Sequence, residues 1–374
     1  MKSLAFIIFL LFNVHAQANT GLIAAPKIAA KGWVLADFHS GQVLAEHRAD
    51  ERIDPASLTK LMTAYVVFKE LRAGKLKLGD PVKISKTAWN MPGSRMFVRA
   101  GSEASVEELI KGLLIPSGND AAVALAEHIA GSEPAFVARM NTEAKTLSLI
   151  NTRFANSTGL PASDHHSSAR DLTRLSGFLI RDFPEYYHWN AAKEFNYGGI
   201  TQYNRNALLW RPGGVDGIKT GHTRAAGYCI AASATREQMR LIATIMGAAS
   251  EQTRTDASQA LFDFGFRHFE TRLLYQASVP ATEVRVWMGA SEKLPVGVGR
   301  DLYLTLPRGA HTKLEANVTV KDAQAPVRAG QALGTLSLSL DKKTFAEYPL
   351  VALREIESGN ILQRAMDSVR LWFK

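Results

Sequence analysis

The chain of 374 residues has a single cysteine, Cys229. An intrachain disulfide is thereby excluded, and stability has to come from a hydrophobic core, which a chain of this length can supply. Cys229 lies in Gly-Tyr-Cys-Ile-Ala-Ala-Ser-Ala, which reads as a buried strand, so the thiol is expected to pack as a small apolar side chain and not to act as a nucleophile. There is no block of basic residues interleaved with aromatics. The formal net charge of +9 is spread along the chain, and nucleic acid is not an expected partner. A diffuse positive field instead favours anionic membrane surfaces and carboxylate-bearing substrates. Internal repeats and low-complexity stretches are missing too. The apolar run from Leu4 to Val14 is too short to span a bilayer easily. With Lys2 before it and Ala16-Gln17-Ala18 after it, it reads as a secretory signal cleaved after Ala18.

What is present is ordinarily globular, 46% hydrophobic and 21% charged, in a length that suggests two or three domains. One stretch stands out. From Leu58 to Phe68 the chain is apolar on nearly every side, as expected of a helix buried in a domain. Its single charge is Lys60. An ammonium buried there costs several kcal/mol unless it is paired or neutralised. Asp54 before Pro55 reads as a helix start, which places Ser57 in the first turn and Lys60 one turn on, on the same face. A serine hydroxyl beside a lysine that burial can deprotonate is a route to an alkoxide nucleophile.

Around this helix the pattern predicts short strands at Gly32–Ala36 and Gln42–Ala45, and helices from Val106, from Ala121, over Glu133–Leu147, over Ala169–Ile180 and near Thr255–Phe264. Pro116-Ser-Gly-Asn-Asp120 forms a tight loop between two of them. Val215–Gly221, Gly227–Thr235 and Leu241–Gly247 read as an antiparallel meander that shares a sheet with the first hairpin, giving an α/β domain. From about Val279 only strands are expected, at Val284–Trp287, Leu302–Leu306, Asn317–Val320 and Leu333–Leu340, as in a small β-sandwich. At the end, helical projection gathers Ile361, Leu362, Ala365, Met366, Val369, Trp372 and Phe373 on one arc, with Arg and Lys on the other. That is the pattern of a helix lying in a membrane interface.

Two further signals follow Ser57 and Lys60 in order: Ser117-Gly118-Asn119 in the interhelical loop, and Lys219-Thr220-Gly221-His222 at the end of a strand, where glycine lets a substrate backbone approach. The triplet resembles that of the penicillin-binding proteins and serine β-lactamases. Pro-Ala-Ser-Leu-Thr-Lys-Leu-Met-Thr, Ser-Gly-Asn-Asp-Ala, Asn-Ser-Thr-Gly-Leu-Pro, Ser-Ser-Ala-Arg-Asp, Asn-Arg-Asn-Ala-Leu-Leu-Trp and Val-Asp-Gly-Ile-Lys-Thr-Gly-His-Thr are similar to the D-alanyl-D-alanine carboxypeptidases, the low-molecular-mass penicillin-binding proteins of peptidase family S11. The resemblance implies an antiparallel sheet with a helical subdomain, followed by a small all-β sandwich. The expected divisions are a signal peptide over residues 1–18, a catalytic domain over 19–276, a β-sandwich domain over 277–357 and an amphipathic anchor helix over 358–374.

It also implies residue roles: Ser57 as nucleophile, Lys60 as its base with Lys219 nearby depressing its pKa, and Ser117 as the proton relay to the leaving D-Ala. Asn119 would hold Lys60 and the substrate amide. The backbone N–H groups of Ser57 and His222 would make the oxyanion hole. Lys219 and Thr220, with Gly221 allowing close approach and Arg254 as a second cation, would bind the terminal carboxylate. The implied substrate is the peptidoglycan pentapeptide, β-lactams acylate the same serine, and no metal or cofactor is required. The implied place is the periplasm, on the outer face of the inner membrane. A β-lactamase is the nearest rival. Against it, the second motif is Ser-Gly-Asn where class A enzymes have Ser-Asp-Asn, and no Glu-x-x-x-Asn lies between Asn119 and Lys219. A non-catalytic scaffold is opposed by the intact triplet.

Overall fold

The computed structural model describes residues 23–277 and 279–373; the secretory signal read over residues 1–18 lies outside the described residues. The chain divides into two compact units, one over Ala24–His268 and the other from Phe269 onward.

The first unit is built on strands β1 (Gly32–Asp37) and β2 (Val43–His47) and, far along the chain, β3 (Val215–Thr223), β4 (Gly227–Arg236) and β5 (Met239–Ala248). They form one antiparallel sheet in the order β2-β1-β5-β4-β3, so the first hairpin and the last meander do share a sheet. Its longer helices are α1 (Lys60–Arg72), α2 (Val106–Leu114), α3 (Asn119–Ala130), α4 (Glu133–Thr146), α5 (Ala169–Asp182) and α6 (Glu251–His268). β1 is buried along its whole length, which explains why it reads as a continuous apolar run: both faces are covered. Ile242 packs with the helical core and Leu241 meets α6 at Gly265, and successive strand residues point to opposite faces.

The entry to α1 departs from the expected simple helix start. Asp54 Oδ1 accepts the Ala56 N–H at 2.8 Å and Leu58 N donates to Pro55 O at 3.1 Å. This Asx turn tightens Ala56–Thr59 into a 3-10 turn before the α-helix begins at Lys60. Ala56 is thrown to a φ of +47°, a left-handed conformation that costs an alanine about 1–2 kcal/mol. Behind it, every residue from Lys60 to Phe68 is buried.

The second unit carries β6 (Phe269–Tyr275), β7 (Thr282–Trp287), β8 (Lys293–Val298), β9 (Leu302–Pro307), β10 (Leu314–Val320), β11 (Ala323–Gln324), β12 (Ala332–Leu340) and β13 (Lys343–Ala352). A six-stranded sheet in the order β10-β12-β13-β8-β7-β11 and the pair β6-β9 enclose one core that includes Leu294, Val296, Leu304, Leu336, Leu338 and Leu350. β6, β8, β11 and β13 are absent from the expected strands, and the unit opens at Phe269, ahead of the expected start at 277. β8 and β13 each contain a proline, Pro295 and Pro349, which weakens a strand signal, yet the Pro295 carbonyl still accepts from Leu353 N at 3.0 Å.

The unit ends in α7 (Ile361–Trp372), opened by a capping box between Asn360 and Gln363. Its apolar side chains are exposed, Trp372 to 87% and Ile361 to 82%. Its one buried residue is Asp367, whose Oδ2 accepts the Met288 N–H at 2.7 Å. Among the described residues no helix is long and apolar enough to cross a membrane.

Candidate active site

Lys60 is fully buried, and its ammonium nitrogen has three neighbours within hydrogen-bond range: Asn119 Oδ1 at 2.6 Å, the Thr158 carbonyl at 2.6 Å and Ser57 Oγ at 3.0 Å. The first two are carbonyl oxygens and can only accept, so two hydrogens of the amine are committed to them. Once Lys60 loses a proton, the remaining tetrahedral direction is a lone pair aimed at Ser57 Oγ. Burial drives that loss and brings the pKa down to about 7; the charge of Arg205 lowers it further while that of Asp120 opposes the shift. Burial also holds Lys219 well below its ordinary value, with Lys60, Arg205 and Arg254 adding repulsion. The two lysines therefore compete for charge. The one that touches the serine is Lys60.

Each partner of Lys60 is itself held. Asn119 opens α3, donates from Nδ2 to Pro92 O at 2.6 Å and from its backbone to Ser94 O at 2.7 Å. The next residue, Asp120, is fully buried and its carboxylate accepts the N–H groups of Met96 and Phe97 at 2.9 Å and of Val98 at 3.3 Å. The first turn of α3 thus carries both Lys60's partner and the loop over residues 92–98. Asn156 Oδ1 gathers Thr158 N, Thr158 Oγ1 and Gly159 N at 3.1, 3.0 and 2.7 Å, which turns the Thr158 carbonyl onto Lys60. Ser117 is 2% exposed, sits at a φ of +68° and has an Oγ with no hydrogen-bond partner. A buried hydroxyl left unsatisfied is uneconomical for a fold and is available to a substrate.

On β3, Lys219 is buried and donates to Thr220 O at 3.0 Å. Gly221 lies against the nucleophile's backbone: a Cβ there would sit 3.0 Å from Ser57 N. His222 is exposed, with its ring 4.1 Å from that of Tyr228. Arg254 is 3% exposed, paired with Glu251 at 2.9 Å, and its Nε lacks a partner. A pocket of about 360 Å³ opens over the serine, lined by Ser57, Ser94, Asn119, Thr158, Arg205 and His222 among others. Its cation is Arg205, fixed by a 3.1 Å hydrogen bond from Nε to Pro116 O; Lys219 and Arg254 lie outside the lining. Sequence reasoning assigned no role to Arg205, Thr158 or Asp120, although all three stand inside the motifs quoted above. Among the described residues no cluster of side chains could hold a metal ion.

A serine at the strained head of a buried helix, a neutralisable lysine one turn on and a glycine-lined strand edge define an active-serine acyl-transfer site. A family model described as D-alanyl-D-alanine carboxypeptidase matches residues 19–250, and one described as the C-terminal domain of penicillin-binding protein 5 matches residues 269–358. The chain is 42% identical to D-alanyl-D-alanine carboxypeptidase DacC of Escherichia coli K12, over 97% of this chain and 93% of that one. Penicillin-binding protein 5 of Haemophilus influenzae superposes with a TM-score of 0.86 at 40% identity, over 90% of this chain and all of that one. Penicillin-binding protein D2 of Listeria monocytogenes, solved with ampicillin bound, superposes with a TM-score of 0.60 at 28% identity, over 65% of this chain and all of that one. This chain belongs to the D-alanyl-D-alanine carboxypeptidase family, the low-molecular-mass penicillin-binding proteins.

Proposed function

We propose that this enzyme removes the terminal D-alanine from peptidoglycan stem pentapeptides through an acyl-enzyme on Ser57, and that β-lactams acylate the same oxygen. The observation that carries the reading is the geometry at Lys60, whose two carbonyl partners leave its lone pair facing Ser57 Oγ. Lys60 takes the Oγ proton as the oxygen attacks the carbonyl carbon of the penultimate D-Ala. The backbone N–H groups of Ser57 and His222 receive the oxyanion. Ser117 passes the proton to the leaving D-Ala nitrogen as the amide bond breaks, and Asn119 keeps Lys60 and the substrate amide in register. Lys219 and Thr220 on β3 take the terminal carboxylate beside Arg205, the cation that lines the pocket, Gly221 gives the backbone room, and Arg254 adds positive charge. Water then hydrolyses the ester, leaving a peptide one residue shorter.

The outward apolar face of α7, with its polar face tied inward through Asp367, supports a second part of the proposal. The helix lies in the outer leaflet of the inner membrane and keeps a periplasmic enzyme at that surface.

Release of free D-alanine from diacetyl-Lys-D-Ala-D-Ala by the mature chain, beside its Ser57→Ala variant, tests the reaction. Release that depends on Ser57 is expected. A wild-type chain that is acylated by a β-lactam yet releases nothing would show a penicillin-binding scaffold or a transferase that needs an amine acceptor.

A further inference from the structure

The strained residue before the nucleophile is held by a buried chain of hydrogen bonds that the chemistry above does not use. Thr59 Oγ1 donates to the Ala56 carbonyl at 2.8 Å and lies 2.8 Å from His165 Nε2. His165 Nδ1 accepts the Ala155 N–H at 2.8 Å. Hydrogen counting fixes every direction in this chain. Thr59 has one hydroxyl hydrogen, given to Ala56 O, so the hydrogen between Nε2 and Oγ1 comes from the imidazole. Nδ1 receives a hydrogen and is bare. His165 is therefore a neutral imidazole protonated on Nε2. Burial, which brings its pKa down to about 4, keeps it in that form and excludes it as a base at neutral pH. Thr59 is fully buried, and His165 is 6% exposed.

The far end of this chain is a peptide group that matters. A trans peptide is planar, with its C=O and N–H pointing in opposite directions. Fixing the Ala56 oxygen therefore aims the Ser57 N–H. The space around this peptide is closed on two sides by glycines. A Cβ on Gly159 would fall 1.8 Å from Ala56 O, and one on Gly221 would fall 3.0 Å from Ser57 N. Ala56 at a φ of +47° turns the peptide away from the path that an ordinary helix start would give, and backbone strain held by surrounding structure is a mark of function. A hydrogen bond accepted at the carbonyl also polarises the peptide, so its N–H becomes a better donor.

We infer that Thr59 and His165 are positioning residues for acyl transfer: by gripping the Ala56 carbonyl they hold the Ala56–Ser57 peptide so that its N–H meets the oxyanion. The inference rests on the reading of Ser57 N–H as an oxyanion donor. It gives the Thr59 hydroxyl, one residue before the base, a part in the rate that its burial beneath the site conceals.

The test compares Thr59→Val, which keeps shape and loses the hydroxyl, with Thr59→Ser, which keeps it. Acylation by a fluorescent β-lactam and D-alanine release are both measured. Removing an oxyanion donor outright costs on the order of 100–1,000-fold, so a misaimed one is expected to cost about tenfold. Thr59→Val should lose that factor in the acylation rate constant and in kcat, with KM moved less than twofold, and Thr59→Ser should stay within threefold of wild type. A folded Thr59→Val that acylates at the wild-type rate overturns the inference and leaves the nucleophile assignment intact, whereas a wild type that is never acylated removes the reading beneath it. If Thr59→Val does not fold, long-range nitrogen–proton correlation spectra of the wild type decide: an Nε2–H tautomer for His165 that persists from pH 6 to 8 is required, and an Nδ1–H tautomer contradicts the relay.

Discussion

The two helices α1 and α7 break the usual rule of burial in opposite senses. α1 hides an ammonium among apolar side chains, and every hydrogen-bonding direction of that ammonium has a partner. α7 exposes its apolar residues and hides a carboxylate, which is also partnered, by Met288 N at 2.7 Å with Arg370 at 3.5 Å. In both, the buried charge is satisfied by backbone or amide groups of other segments. The difference lies in what each arrangement leaves open. At α1 the polar groups converge on the Lys60 nitrogen beside one serine oxygen, and a shift of the lysine pKa follows from burial. At α7 the charge only fixes which face points inward, and what is left open is apolar area.

On that contrast, changes at α1 act on chemistry and changes at α7 act on location or stability. The largest effect is expected from Lys60→Arg. A guanidinium stays charged and cannot take the serine proton, so acylation by a fluorescent β-lactam should fall by at least about 1,000-fold, the loss typical of a missing general base with its geometry, while circular dichroism shows a folded chain. Rapid labelling of that variant would remove Lys60 from its role. A smaller effect is expected at α7 from Leu362→Ser together with Trp372→Ser. Each large apolar side chain withdrawn from water contributes about 1.5–3 kcal/mol, so sedimentation with anionic vesicles should weaken at least tenfold, and D-alanine release from a soluble tripeptide should stay within twofold. Release falling in step with vesicle binding would erase the distinction between the two helices. The smallest effect is expected from Asp367→Ala, which strips the Met288 N–H of its acceptor. A loss of about 1–3 kcal/mol in the stability of the second unit should appear in denaturant unfolding with acylation unchanged.

The legibility of the chain divides along similar physical lines. Side-chain patterns were readable. The apolar runs at β1 and β3 to β5 announced one sheet from distant segments, and the spacing of Ser57 and Lys60 announced a shared face that survives the unexpected 3-10 turn. Groups without a side-chain signature were not. The third partner of Lys60 is a backbone carbonyl, Thr158 O, and any residue type offers one. The turn at Ala56 follows from an Asx hydrogen bond that only the folded backbone reveals. Lys219 and Arg205 were both visible as cations, but which of them faces the pocket depends on long-range packing. Beyond burial, the charge that repels the Lys60 ammonium is that of Arg205, where the resemblance pointed to Lys219. β8 and β13 were hidden by their prolines, whose effect on a ladder depends on register.

The central claim is that Lys60, made neutral by burial, is the base that activates Ser57. The most direct measurement is the pH dependence of the rate constant for Ser57 acylation by a fluorescent β-lactam under single-turnover conditions. A base with a pKa of about 7 is protonated below that pH, so the rate should fall about tenfold per pH unit on the acid side and level off above it. A rate that is unchanged from pH 8 down to pH 5, with the enzyme still folded, would contradict the account.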